Sequence, residues 1–262
     1  MGMLYADLMS THEILAVRYG TVHSTKSDLF LRYGIYREPD APQDMDFFFY
    51  VLRRDGEVTL IDTGFAPSDA PPRGRECLIA PAAALAALGI EPESVARVIV
   101  THCHWDHIGN LDLFGNADLF VPARELDFWS APIARNAQFW AHTEEHAIAQ
   151  LERGRLQKRV SATGPDEEIV PGVRVITVGG HSAGQQIVVV DETVILASDA
   201  AHLYEELELE RPFGVVVDLR EMVEAYALIK ELGAQPGAVV VPGHDPLVAE
   251  RFPIEDFAVR IA

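Results

Sequence analysis

The sequence predicts a layered α/β fold, and three observations carry this prediction. Short apolar runs typical of strands recur from Glu13 to Val241. Two pairs of these runs are joined by turn signals, and two other segments have the residue spacing of amphipathic helices. No internal repeat or low-complexity tract interrupts the alternation. The chain of 262 residues is long enough for a large core, and we expect a single domain over residues 1–262.

Eight apolar runs are predicted as strands. In chain order they are Glu13–Tyr19, Phe47–Leu52, Val58–Ile61, Val95–Val100, Val173–Val178, Gln186–Val190, Val194–Ala197 and Ala238–Val241. Turn signals at Asp55-Gly56 and at Asp191-Glu192 separate the second run from the third and the sixth from the seventh. These two pairs are therefore expected to form β-hairpins.

Two helices are predicted from residue periodicity. The first covers Pro81 to Leu88 and is ended by Gly89. The second covers Leu219 to Leu232, with Asp218 as its N-cap and a glycine as its stop signal. Because strands and helices share the chain, the helices are expected to cover the faces of the sheets.

The region around residues 124–164 is irregular, and we interpret it as an insertion with one or two helices. Its aromatic content is too high for a solvated linker. The aromatic residues are Phe128, Trp129, Phe139 and Trp140. Packing within the insertion is favoured for them over lining a binding pocket. His142 and His146 have the i, i+4 spacing of a helical metal site, but the two acidic residues between them favour a solvated helix.

The composition excludes several classes of protein. The chain has 21 Lys plus Arg against 40 Asp plus Glu, a formal net charge of −19 with histidine neutral. Such a field opposes binding to nucleic acid and to anionic membrane surfaces. The apolar fraction of 48% is ordinary for a globular protein, and no apolar run reaches the roughly 18 residues of a membrane span. We therefore expect neither nucleic acid nor a membrane as a partner.

The start of the chain and its cysteines predict a cytoplasmic location. The first twenty residues lack the basic start and the long apolar stretch of a secretory signal. Cys77 and Cys103 are the two cysteines, so a disulfide framework is not expected. Cys103 lies among histidines and is predicted as a buried thiol, since in an extended segment it would point away from its neighbours. An N-terminal aromatic segment leaves a homodimer open.

The most informative segment is a cluster of histidines and an aspartate. His102, His104, Asp106 and His107 form an H-x-H-x-D-H pattern directly after the apolar run that ends at Val100. Three imidazoles and a carboxylate within six residues cannot all belong to a hydrophobic core. These groups are the ligands that zinc and similar divalent ions prefer, so the segment indicates a metal site.

Three further candidate ligands stand in the same kind of position. His181, Asp199 and His244 each follow a predicted strand. If these strand ends lie on one edge of the fold, they bring seven metal-binding side chains to one cleft, which two ions could share.

With these residues, the sequence resembles the metallo-β-lactamase superfamily. Asp62-Thr63-Gly64, the H-x-H-x-D-H segment, His181, Asp199 and His244 occur in the order of the motifs of that family. The resemblance implies an αββα sandwich with a dinuclear metal site at its edge. Two divalent ions are implied as cofactors, with zinc expected and iron, cobalt or manganese as alternatives.

The resemblance also implies which side chains bind each ion. One ion would be held by His102, His104 and His181. The other would be held by Asp106, His107 and His244. Asp199 would bridge the two ions, and Asp62 would orient the site without binding metal.

Within the superfamily, the sequence is most similar to the N-acyl homoserine lactonases. The similar segments are His107 to Asp112, Ser198 to His202 and Glu13 to Gly20. β-Lactamases of the main subclass have a cysteine where Asp199 stands, so antibiotic hydrolysis is not expected. In the lactonases a tyrosine that contacts substrate lies three residues after the bridging aspartate. Here that position is His202, and Tyr204 lies two residues further on, so either residue is a candidate catalytic auxiliary.

The resemblance implies a metal-dependent hydrolase that opens a lactone ring, with N-acyl homoserine lactones, the substrates of quorum-quenching enzymes, as the expected class. A hydroxide shared by the two metals would attack the lactone carbonyl. Asp106 would bind metal and give a proton to the leaving alkoxide, while His202 or Tyr204 would hydrogen-bond to the carbonyl or to the developing charge. The acidic chain around a small electropositive site favours a neutral lactone as substrate.

Other functions of the same superfamily stay open. A thioesterase of the glyoxalase II type would use the same ligands but an anionic substrate, and the scattered lysines weigh against it although arginines are available. Another lactonase or esterase is a second alternative. An iron-dependent sulfur dioxygenase is a third, and a metal-binding module without catalysis is disfavoured because every ligand position is filled.

Overall fold

The computed structural model describes residues 11–255 and 257–262 of the chain. The first ten residues, which include the start of the N-terminal segment considered for a homodimer, lie outside them. The strands within these ranges, β1 to β14 in chain order, are Glu13–Val22, Met45–Arg54, Glu57–Ile61, Glu76–Cys77, Arg97–Ile99, Asp118–Pro122, Val160–Thr163, Asp166–Val170, Val173–Thr177, Gln186–Val190, Val194–Ser198, Val239–Pro242, Ile254–Glu255 and Ala258–Arg260.

The α-helices are short except for two. In chain order, α1 to α9 are Lys26–Leu29, Pro81–Ala87, Trp105–Ile108, Ala123–Ser130, Ala137–Trp140, Glu145–Leu156, Tyr204–Leu209, Leu219–Gly233 and Leu247–Arg251. Of the described helices, none is long and apolar enough to cross a membrane.

The strands form two sheets. The larger has the order β13-β14-β1-β2-β3-β5-β6-β7, with β4 paired to β1, and the smaller has the order β12-β11-β10-β9-β8. Both predicted hairpins are confirmed: β2 pairs antiparallel with β3 up to the pair Arg54 and Glu57, and β10 pairs antiparallel with β11. The pairs β3–β5, β5–β6 and β11–β12 are parallel, so their strands end at the same edge.

The sheets pack face to face, and helices cover their outer faces. Strand β1 shows why, because its side chains alternate: Ile14 and Ala16 belong to the core between the sheets, whereas Leu15 and Val17 belong to the outer core under α2, α4 and α6. The other sheet presents Ile187, Val189 and Ile195 to buried residues of α8, which include Met222 and Ile229. This order of layers confirms the predicted αββα sandwich.

Helix α8 confirms the predicted N-cap. The Asp218 carboxylate accepts hydrogen bonds from Arg220 N at 2.9 Å and Glu221 N at 3.0 Å, which satisfies free donors of the first turn. The predicted stop was one residue early, because Gly233 is the last residue of the helix.

The region around residues 124–164 differs from its prediction. It holds most of α4, together with α5 and α6, so it has more helices than the one or two expected. Its C-terminal part contains β7, which pairs parallel with β6 and thus belongs to the larger sheet. β6, Asp118–Pro122, was missed as a strand because its apolar run has only three residues, Leu119 to Val121, between a charged residue and a proline.

Candidate metal centre

Five strands end at one edge of the sandwich and supply the candidate site. Asp62 follows β3, His102 follows β5, His181 follows β9, Asp199 follows β11 and His244 follows β12. At two of these ends the backbone adopts a positive φ, 63° at Asp62 and 46° at Ser198, the residue before Asp199. The sharp change of direction lets each side chain face the edge instead of continuing along its strand.

The structure brings all seven predicted ligands together. They form three overlapping groups, in each of which one ligand atom per residue lies within 4.8 Å of the others: His102, His104 and His181; His102, His107 and Asp199; and Asp106, His107 and His244. Every one of the seven is buried. A cation placed among them would be shielded from solvent on most sides.

Three of the imidazole rings are oriented through Nδ1. His107 Nδ1 lies 2.7 Å from the Asp62 carboxylate, His181 Nδ1 lies 3.0 Å from Val215 O, and His244 Nδ1 lies 2.8 Å from the carbonyl oxygen of residue 46. Since these oxygens accept and do not donate, the proton lies on Nδ1. The Nε2 lone pairs are then turned towards the cluster, as in metal-binding histidines.

The unpaired atoms of the cluster fit a metal ion. Among the described residues, His102 Nε2 and His107 Nε2 are buried without a hydrogen-bond partner. His104 Nδ1 and His181 Nε2 lie 2.9 Å apart, so two ring nitrogens face each other. Buried polar atoms normally have partners, and a divalent cation would supply one to all four nitrogens. The residues present therefore fit a metal.

The charge state of the cluster also fits. Burial lowers the pKa of His102, His104 and His181 well below the usual histidine value, so these rings are neutral, the form that binds metal. Burial opposes the charged form of His107 as well, but the carboxylates of Asp199 and Asp106 outweigh it and raise its pKa. Carboxylates that favour a proton at this place also favour a divalent cation.

Asp62 holds the segment that carries most of the ligands. Its Oδ1 accepts a hydrogen bond from Thr101 N, and its Oδ2 accepts one from Thr101 Oγ1, both at 2.7 Å. Ser198 Oγ in turn donates to Thr101 Oγ1 at 2.9 Å. These bonds join the ends of β3, β5 and β11, so Asp62 contacts the site through its hydrogen bonds as the resemblance implied.

Glu125 was not singled out from the sequence. Its buried carboxylate accepts hydrogen bonds from Cys103 N at 2.8 Å, Trp129 Nε1 at 2.8 Å and Gly184 N at 2.6 Å. It thereby joins the loop of the H-x-H-x-D-H segment to the loop that carries His181. A glutamate in an amphipathic helix gives no signal of such a role, because its partners are distant in sequence. Cys103 is fully buried, as predicted.

The two candidate auxiliaries differ in position. His202 lines the cleft beside the cluster: its Nε2 lies 3.1 Å from Asp199 Oδ2, and its ring stacks on Phe213 with centroids 3.6 Å apart. Burial lowers the pKa of His202, but Asp199 and the buried Glu206 outweigh this and raise it to about 9. The ring is thus a cation at neutral pH in the metal-free protein.

Tyr204 does not reach the same space. Its hydroxyl donates a hydrogen bond to Val240 O at 3.2 Å, and its ring lies under the Arg251 guanidinium at 3.6 Å. It lines a separate surface pocket with Asp245. The expectation that Tyr204 faces the substrate is wrong, because helix α7 begins at this residue and turns its side chain away from the cleft.

The cleft in front of the cluster has a volume of about 880 Å³. Phe128, Trp129 and Phe139 line it, together with Trp105 and His142. The prediction that these aromatic residues only pack within the insertion was therefore incomplete. His142 belongs to the cleft wall, with its ring centroid 5.3 Å from that of His104, and was wrongly interpreted as part of a solvated helix. In contrast, the His146 side chain is 43% exposed and lies near Asp69.

Known proteins share this sequence pattern and fold. The model of the metallo-beta-lactamase superfamily matches residues 48–244. An N-acyl homoserine lactonase of Bacillus sp is 26% identical over 225 residues, which are 79% of this chain and 84% of that protein. The crystal structure of a quorum-quenching N-acyl homoserine lactone lactonase has a TM-score of 0.75 at 20% identity and covers 96% of this chain and 99% of its own.

A second solved structure is AidC, a dizinc quorum-quenching lactonase in complex with the product N-hexanoyl-L-homoserine. It has a TM-score of 0.69 at 17% identity and covers 97% of this chain and 95% of its own. Both structures share the sandwich, and the family model covers the strand ends that carry the cluster. The chain therefore belongs to the metallo-beta-lactamase superfamily and is a hydrolase of that superfamily.

Proposed function

We propose that the protein is a dinuclear metal-dependent lactonase, with N-acyl homoserine lactones as its substrate class. The observation that carries the proposal is the set of three overlapping ligand groups at the base of a cleft lined by aromatic residues. Groups that overlap through His102 and His107, with the two oxygens of Asp199 near His107 on one side and His181 on the other, suit two neighbouring ions better than one. The lactonase relatives support the choice of substrate.

Each ligand has a place in this proposal. One ion would be held by His102, His104 and His181. The other would be held by Asp106, His107 and His244. Asp199 lies between the two groups and could bind either ion. Zinc is the proposed metal, because the donor set of imidazole and carboxylate suits it and AidC is described as a dizinc lactonase. When bound, two such ions supply Lewis acidity and lower the pKa of a shared water towards neutrality.

The other residues of the site position and protonate the substrate. His202 lines the cleft with its Nε2 3.1 Å from Asp199 Oδ2, and with Asp199 bound to metal this ring N–H would be available to the lactone carbonyl as negative charge develops. Phe213, stacked on the ring, and Glu206, whose Oε1 lies 3.3 Å from His202 Nδ1, fix its orientation. Asp106 faces the same cleft, where it would take the proton released by the attacking water and pass it to the ring oxygen as the C–O bond breaks.

The test combines metal analysis with lactone hydrolysis. We expect two zinc ions per chain in the wild type and a loss of both metal and activity in His104→Ala, Asp106→Asn and Asp199→Ala. His146→Ala is the matched control, because it removes a histidine outside the cluster and should leave both readings unchanged. Full hydrolysis by the metal-depleted variants would contradict the proposal. A single iron ion per chain would favour the sulfur dioxygenase.

A thioesterase is the second candidate, and one observation favours it. The scattered lysines weighed against an anionic substrate, but the structure places two arginines, Arg73 and Arg75, in the cleft wall. A substrate panel of N-acyl homoserine lactones, simple γ- and δ-lactones, thioesters and a β-lactam separates the candidates. Turnover of thioesters with no turnover of lactones would replace the lactonase by the thioesterase.

A further inference from the structure

The cleft wall contains a cationic segment that the proposed reaction does not use. The segment, Arg73-Gly74-Arg75, belongs to the loop between β3 and β4. Its backbone is ordered: Arg73 N and Arg75 N both donate to Ala70 O, at 3.1 and 2.9 Å, and Ala70 is fully buried. All three residues of the segment line the cleft.

Arg73 is already compensated by the protein. Its Nε donates to Glu144 Oε1 at 3.1 Å, and its terminal nitrogens donate to Ala141 O at 2.9 Å and Thr143 O at 3.2 Å. The guanidinium also lies 4.6 Å from the centroid of the Trp105 ring. Arg73 therefore joins two parts of the cleft wall, and its charge is paired.

Arg75 is different, because no carboxylate of the described chain pairs with it. Its Nη1 donates to Arg73 O at 2.6 Å, whereas its buried Nε has no partner among the described residues. In a chain with 40 acidic residues, most arginines of the described ranges have a carboxylate within 4.0 Å. A half-buried guanidinium that lines a cleft and has no carboxylate partner in the described chain is available to an anionic group of a ligand.

Arg75 shares the cleft with one other arginine, Arg73, and with three acidic residues. The acidic residues that line the cleft are Asp28, Asp106 and Asp199, and the last two belong to the metal cluster. Asp28 is exposed. Burial lowers the pKa of Arg75 while the charge of Asp106 opposes this, which shows that its charge is held at a partly desolvated place. An anion bound there would relieve that cost.

We propose that Arg75 determines substrate specificity by binding a carboxylate carried on the acyl part of the substrate. The proposal rests on the lactonase function and names its substrate class: lactones whose acyl chain ends in a carboxylate. With the lactone carbonyl at the metal cluster, the tail would reach Arg75 along the same cleft, which both line. Water adds to the carbonyl carbon, the ring C–O bond breaks to give a hydroxyl and a carboxylate, and the tail is unchanged. The net charge of −19 therefore does not describe this part of the cleft.

The test compares two substrates on the metal-loaded enzyme. N-glutaryl-L-homoserine lactone carries the carboxylate, and N-hexanoyl-L-homoserine lactone is the neutral compound of similar length. We expect the wild type to favour the glutaryl compound in kcat/KM by about tenfold, the order expected for a hydrogen bond between charged groups, and less at high salt. Arg75→Met should abolish the preference, and Arg75→Lys should restore part of it. Arg153→Met, an equal loss of charge on the exposed face of α6, should leave it unchanged.

A second measurement does not need turnover. Phenylglyoxal modifies accessible arginines, and mass spectrometry gives the rate at each one. The product N-glutaryl-L-homoserine should protect Arg75 several-fold better than N-hexanoyl-L-homoserine, whereas Arg153 should react equally with either present. Equal kcat/KM values, a preference that survives Arg75→Met, or equal protection would overturn the proposal. If neither lactone is hydrolysed, the lactonase function fails, and the protection experiment still decides whether Arg75 binds a carboxylate.

Discussion

Replacing Asp62 by asparagine tests how the site selects the tautomer of His107, that is, which ring nitrogen carries the proton. Asp62 Oδ2 lies 2.7 Å from His107 Nδ1 and so keeps the proton on that nitrogen. In Asp62→Asn the amide oxygen is best placed opposite Thr101 N, whose N–H cannot be removed, and the NH2 group then faces His107. Two donors oppose each other, so in the neutral form that binds metal His107 must carry its single proton on Nε2, the atom that faces the cluster. The backbone conformation is retained, because asparagine tolerates the positive φ of 63°.

The size of the effect follows from these contacts. Loss of the partner that orients a metal-binding histidine costs about 10- to 100-fold in metal affinity, or about 1.4 to 2.7 kcal/mol. Asp62 accepts three hydrogen bonds and is 2% exposed, so the unfolding free energy of the metal-free protein should also fall, by about 1 to 3 kcal/mol. The ion next to His107 should be lost first.

The assay is a competition titration of metal-free protein against a chelator, with urea unfolding to record stability. Asp46→Asn is the matched control, because Asp46 is equally buried and pairs with Arg18 Nε at 2.6 Å, yet its hydrogen bonds to the cluster, both with His244, come from its backbone. The control should lose stability and keep both metal sites. A folded Asp62→Asn protein that binds both ions with wild-type affinity would refute the reasoning.

Three further predictions concern the support of the site. Glu125→Gln should lower the unfolding free energy by about 2 to 4 kcal/mol and weaken metal binding, because an amide cannot accept all three hydrogen bonds. Urea unfolding measures this free energy, and a decrease of less than about 1 kcal/mol would contradict the prediction. Gly180→Ala should prevent stable folding, since its Cβ would lie 2.5 Å from Met222 N, whereas Gly237→Ala, with a similar positive φ and open space, should cost only about 1 kcal/mol by thermal unfolding. In the metal-free protein the unfolding free energy should fall as the pH drops below about 6.5. Burial lowers the pKa of the three histidines of the first ligand group, so the unfolded chain binds up to three more protons; equal urea midpoints at about pH 7 and about pH 5.5 would contradict this.

Much of the fold could be predicted from local patterns. The apolar run of β1, the turn at Asp55-Gly56 and the N-cap Asp218 each involve neighbouring residues, and the structure has all three. The strands that were missed, such as β6, are short or lack a clear apolar pattern of their own. Their pairing with distant strands stabilises them, and such pairing leaves little signal in a single sequence.

The two candidate auxiliaries show the same limit of prediction from local sequence within the site. His202 and Tyr204 are two residues apart and would lie on the same side of an extended segment. The chain becomes helical at Tyr204, which sends its ring to Val240 while His202 stays in the cleft. Because the helix begins after His202 and at Tyr204, only the His202 side chain can touch a substrate in the cleft.

By itself, the sequence determined the chemistry of the cluster, because four of the seven candidate ligands lie within six residues and the others each follow a strand. Only the tertiary structure decided what surrounds the cluster. Glu125 and Arg75 acquire their roles from groups that are distant along the chain, or from the lack of a partner. The physical reason is that metal binding by a short motif is a local property, whereas burial and charge pairing depend on all the segments that meet at one place.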